Sequence, residues 1–89
     1  MSNLNIVTRL RIAAQDYEHG RISVASFAAE LYGSSAALEG MEYGRVKEAQ
    51  LVFAQLTQAV EAGRENDVDR QALAAWLQGW LATIPVGLE

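Results

Sequence analysis

The chain has 89 residues, of which 51% are apolar, 20% are charged and none is cysteine, which fits one globular domain over residues 1–89 and excludes disulfides and thiolate metal sites. A net charge of -4 and a pI near 4.9 oppose long-range attraction to nucleic acid phosphates or anionic membranes, so neither is expected as a partner. The opening stretch has no basic region ahead of a long apolar run, and no apolar run approaches the ~20 residues of a membrane span, so a cytoplasmic protein without a signal peptide is expected.

The first predicted helix covers about residues 3–19. Leu4, Val7, Leu10, Ala14 and Tyr17 fall on one stripe at spacings of three and four, Ser2 or Asn3 is placed to cap its start, His19 is its last residue, and Gly20 is its left-handed exit. The second helix starts at Ser23, whose hydroxyl can accept from an unpaired backbone N–H, with Ile22 and Phe27 at the spacing of a hydrophobic staple. Val24, Phe27, Ala28 and Leu31 form its buried stripe, and Gly33-Ser34-Ser35 is expected to end it.

The third segment is predicted over about residues 36–62, with a core line of Val46, Ala49, Phe53, Leu56 and Val60. Gly40 and Gly44 each cost about 1 kcal/mol relative to alanine inside a helix, so a kink or break is expected near residues 40–44. Gly63 closes this segment. The fourth helix repeats the logic of the second: Asp69 as N-cap, Val68 and Leu73 as staple, a stripe of Leu73, Leu77, Trp80, Leu81 and Ile84, and Pro85 as stop. Helices of this kind, joined by short turns, bury their stripes best against one another, so the expected fold is all-α, an antiparallel four-helix bundle.

Catalytic chemistry finds no constellation. His19 stands alone, and Asp16 and Glu18 neither share a helix face nor complete a ligand set with it, so a helix-ending histidine is the better reading and no metal or cofactor is expected. None of the serines sits in a nucleophile elbow, and Gly40-Met-Glu-Tyr-Gly44 lacks the lysine of a phosphate loop. Trp76 and Trp80 are helical neighbours that suit either a core or an interface. Ala72, Ala75 and Gly79 make a small-residue strip, read either as close helix approach inside the bundle or as a homodimer seam.

The acidic residues are distributed unevenly. Residues 1–38 balance Arg9, Arg11 and Arg21 against Asp16, Glu18 and Glu30, so the net charge lies beyond them, most densely at Glu61, Glu65, Asp67 and Asp69. Asp67 and Asp69 suit a helix start, whereas Glu61 and Glu65, four apart, repel; Arg64 and Arg70 offset part of the charge. The set reads equally as a solvated loop and as a surface for a basic partner. Glu39 and Glu42 form a second, smaller cluster followed by Arg45 and Lys47.

One segment carries a resemblance. Leu10 through Tyr17, then Gly20-Arg21-Ile22-Ser23, then Phe27 and Leu31 resemble small bacterial immunity proteins of the colicin D type, a group that includes partners of contact-dependent growth-inhibition toxins. The likeness covers residues 10–32. It implies a non-enzymatic four-helix inhibitor that occludes the basic active site of a toxic nuclease, often a tRNA-cleaving one, with carboxylates standing where RNA phosphates would lie. By position it singles out Glu61, Glu65, Asp67 and Asp69, with Glu39 and Glu42 as second choice. The alternative is a homo-oligomeric helical scaffold or secretion chaperone with its seam at the two tryptophans and the Ala72, Ala75, Gly79 strip.

Overall fold

The structure, a computed structural model, describes residues 3–85. Among these, all regular structure is helical: α1 (Asn3–Glu18), α2 (Val24–Ala37), α3 (Tyr43–Glu61) and α4 (Arg70–Leu81), with one 3₁₀ turn at Glu65–Asp67. The helices form a four-helix bundle.

Local chemistry sets the helix ends. Ser23 caps α2 by accepting from the Ser26 amide at 3.1 Å, and Asp69 caps α4 by accepting from the Ala72 amide at 3.1 Å. Gly20 leaves α1 with φ +74°, and the amides of Gly20 and Arg21 return to the carbonyls of Tyr17 and Asp16. Gly63 repeats the device after α3, with φ +69° and amides of Gly63 and Arg64 returning to Val60 and Ala59. Both exits need a backbone conformation that glycine adopts without a steric penalty.

The expected boundary between the second and third helices is corrected. Gly33-Ser34-Ser35 does not end α2, which runs on to Ala37: Ser34 is buried, and the Ser35 hydroxyl donates to the Leu31 carbonyl one turn back. The break comes at residues 38–42, with Gly40 at φ +71°, and α3 begins at Tyr43 instead of residue 36. The capping role offered to Ser2 lies outside the described residues. Asn3 sits inside α1, buried, and its side chain ties chain segments together. It donates to the carbonyls of Glu39 and Pro85 at 2.7 and 2.8 Å and accepts from the Glu39 amide at 3.0 Å.

α1 packs against both α2 and α4, and α3 packs against α2 while its side chains meet those of α4. Accordingly α1 buries Ile6, Val7, Leu10, Ala13, Ala14 and Tyr17, whereas Ala49 and Leu56 are the buried residues of α3. Leu4 is exposed, contrary to its place on the expected stripe, and Val46, Phe53, Val60 and Leu73 are half-buried at the core's edge. Between α3 and α4 the backbones stay apart and two indoles fill the space. Trp80 is buried and donates to the Arg45 carbonyl at 3.0 Å; Trp76 is half-buried and donates to the Glu48 carboxylate at 3.2 Å. Their rings stack with centroids 6.0 Å apart. The tryptophan pair therefore spaces and joins two helices.

Candidate functional site

The antiparallel order brings the end of α1, the start of α2, the end of α3, the 3₁₀ turn and the start of α4 to one end of the molecule. Glu61 is the last residue of α3, Glu65 and Asp67 belong to the 3₁₀ turn, and Asp69 caps α4. All four are exposed. Val68 is half-buried against the core and anchors the turn beneath them. Glu61 and Glu65 do not share a helix face as their spacing suggested, because the left-handed turn at Gly63 separates them.

Arg70 follows the Asp69 cap at this end of the molecule but forms no ion pair with the four carboxylates. Its guanidinium donates to the carbonyls of Tyr17 at 2.7 Å and Ile22 at 3.2 Å and lies 4.5 Å from the centre of the Tyr17 ring. Tyr17 in turn stacks on Phe27, and burial pushes its phenol pKa up, an effect lowered by Arg70 and raised by Asp69. Arg70 is thus committed to closing the α1–α2 turn. Arg64 is exposed, and the ion pairs among the described residues, Arg9–Glu30, Arg21–Asp16 and Arg45–Glu48, include neither it nor the acidic set.

The four carboxylates are not equivalent. Asp67 and Asp69 adjoin the start of α4, where the helix dipole favours negative charge, whereas Glu65 lies a turn further back at the start of the 3₁₀ turn. Glu61 stands in the last turn of α3, which holds no basic residue and where the dipole disfavours it. The start of α4 accounts for Asp67 and Asp69 and not for Glu61.

Glu39 and Glu42 are exposed at the opposite end, beside the start of α3. The cations that follow them turn elsewhere: Arg45 pairs with Glu48 at 3.1 Å, and the Lys47 ammonium lies 5.8 Å from the Tyr43 ring centre. α3 has 19 residues, so the two acidic clusters are separated by about 28 Å at ~1.5 Å per residue. A compact cleft can engage one cluster only.

Ala72, Ala75 and Gly79 are exposed, and a Cβ added at Gly79 would meet no atom within 4 Å. The strip therefore does not mediate helix approach inside the bundle. His19 lies just past α1 in the turn, exposed. Among the described residues, no three histidine or acidic side chains gather as a metal site, and no helix is long and apolar enough to cross a membrane.

A feature that sequence reading missed adjoins Glu61. Ala25, Ala28, Ala29 and Tyr32 of α2 face Phe53, Thr57, Val60 and Glu61 of α3 across a groove of about 410 Å³. Tyr32 is 58% exposed and its ring meets the half-buried Phe53 ring at 4.7 Å between centroids. The sequence shows only that Ala25, Ala28, Ala29 and Tyr32 are helically spaced; the groove itself depends on how far α3 sits from them.

Comparison with known proteins finds no matching family model, no matching curated protein and no matching solved structure.

Proposed function

We propose that this chain is a non-enzymatic inhibitor of the immunity-protein kind, which binds the basic active-site cleft of a toxic nuclease in the cytoplasm and occludes it with the turn bearing Glu61, Glu65, Asp67 and Asp69. The observation that carries the reading is Glu61, an exposed carboxylate at a helix C-terminus, disfavoured by the dipole and without an ion pair among the described residues. Charge held against local stability fits a surface whose favourable partner lies on another molecule. The turn is also anchored, by Val68 below and the Asp69 cap beside it, so the carboxylates are presented with little ordering left to do on binding. Such a surface steers a basic partner and disfavours acidic ones.

The alternative, a homo-oligomeric scaffold or secretion chaperone, keeps one supporting observation: the strip of Ala72, Ala75 and Gly79 is exposed. The aromatic half of its seam is divided: Trp80 is buried on the Arg45 carbonyl, whereas Trp76, bonded to Glu48, is half-buried and lines an open groove with Ala72 and Leu73.

Co-expression with the product of the adjacent open reading frame separates the two. The inhibitor reading expects a one-to-one complex with a basic nuclease domain and rescue of cells producing it. A self-association equilibrium with neither complex nor rescue supports the scaffold.

A further inference from the structure

We propose that the groove between α2 and α3 is a docking site for a helical segment of the protein partner, taking a leucine-sized side chain between the Tyr32–Phe53 pair and Val60 and a lysine or arginine on Glu61. This rests on the functional reading above and adds a second contact to it. The groove exists because Ala25, Ala28 and Ala29 are small where α3 faces them, leaving apolar side chains uncovered on both walls. Its lining is apolar apart from Thr57 and the Tyr32 hydroxyl, and its one charged lining residue is the carboxylate of Glu61. No cation lines it.

The occupant follows from this chemistry. The walls are helices whose backbone groups are already paired, and the described residues contain no strand edge, so a bound segment receives no main-chain hydrogen bonds. It must bring its own satisfied backbone, which a helix does, and contribute through side chains. From Ala25 to Tyr32 the groove runs about 10 Å along α2, close to two helical turns. A second copy of this chain fits poorly, because a two-fold contact would set groove against groove with no cation in either lining to pair with Glu61, on two molecules of net charge -4. A basic, amphipathic helix satisfies both ends at once.

The test is a titration of the isotope-labelled chain with a peptide of about 15 residues, long enough to populate a helix, in which leucines at spacings of three and four alternate with lysines. Two control peptides replace the leucines by serine or the lysines by glutamate. Amide shifts of Ala25, Ala29, Tyr32, Phe53, Thr57 and Val60 are expected with the first peptide and absent with both controls. Ala25→Leu keeps a good helix former at an exposed site and fills the groove, so it should weaken binding about tenfold, as should Tyr32→Ala. Glu61→Gln should weaken it and flatten its salt dependence. Shifts confined to Glu65–Asp67, with the groove silent, would overturn the docking site and leave the inhibitor reading standing. Full toxin protection by Ala25→Leu, alongside loss of protection on charge reversal in the acidic turn, would do the same in cells.

Discussion

Arg70 is the side chain on which the presentation of the acidic end depends. It donates to two carbonyls of the α1–α2 turn while starting α4, so it joins three elements at one point. Lysine keeps the charge but loses the planar fork, so Arg70→Lys should cost about 1–3 kcal/mol in urea unfolding. An unchanged midpoint would mean that water replaces the guanidinium without penalty. Beneath it, the Tyr17 hydroxyl is buried with no hydrogen-bond partner among the described residues. Tyr17→Phe removes that orphan at nearly constant shape and should leave stability unchanged or raise it by about 1–3 kcal/mol. The same residue sets an alkaline limit. Burial raises its pKa above the ordinary 10.0, so on raising pH the unfolded chain loses the phenol proton first. Its contribution is intact below pH 10.0 and is lost as pH climbs through the raised value. Unfolding midpoints across this window should fall in the parent and fall less in Tyr17→Phe. Ser23→Ala and Asp69→Ala should each cost about 0.5–2 kcal/mol by the same assay, since each removes an observed cap.

Among the helices, α3 is held least firmly. It packs closely on α2 and reaches α4 through two indoles, yet it buries only Ala49 and Leu56, while α1 is buried along two sides. Trp80→Ala should therefore cost about 3–5 kcal/mol, and Phe53→Ala clearly less, because Phe53 is half-buried against an exposed tyrosine. Thermal melts of the two variants check the order, and a reversed order would place the α2–α3 contact above the α3–α4 one. Hydrogen exchange should find faster opening in α3 than in α1. What the sequence makes legible here is local. Ser23, Asp69, Gly20 and Gly63 announce their boundaries because capping and left-handed exits are decided within a few residues. Gly33-Ser34-Ser35 misleads because the bundle buries Ser34 and the Ser35 hydroxyl is absorbed by its own helix. The exposure of Leu4 and of the Ala72, Ala75, Gly79 strip, like the groove itself, depends on how far apart helices sit, which no spacing along one helix encodes. The acidic turn is legible as a cluster of charge. That Arg70 bonds backbone carbonyls at Tyr17 and Ile22 and pairs with none of these carboxylates is a tertiary fact.

The whole molecule is a rod of 42 × 24 × 19 Å with carboxylates concentrated at both tips. That shape makes the choice between tips a clean one, because a partner cleft that holds one leaves the other in solvent. Attraction at a tip is screened over about 8 Å at physiological ionic strength, so association with a basic partner should slow as salt rises. The decisive measurement is the binding kinetics of Glu61→Lys/Glu65→Lys/Asp67→Lys and of Glu39→Lys/Glu42→Lys toward the nuclease domain recovered by co-expression, at low and physiological salt. Asp69 is left unchanged in both because it caps α4. The first variant should keep its helical spectrum, associate more slowly and lose the salt dependence. Reversing any carboxylate buried against a partner cation should also speed dissociation, by an amount corresponding to about 2–5 kcal/mol. The second variant should bind as the parent does. Parent-like kinetics in the first and weakened binding in the second would move the interface to the Glu39 and Glu42 tip and contradict the account.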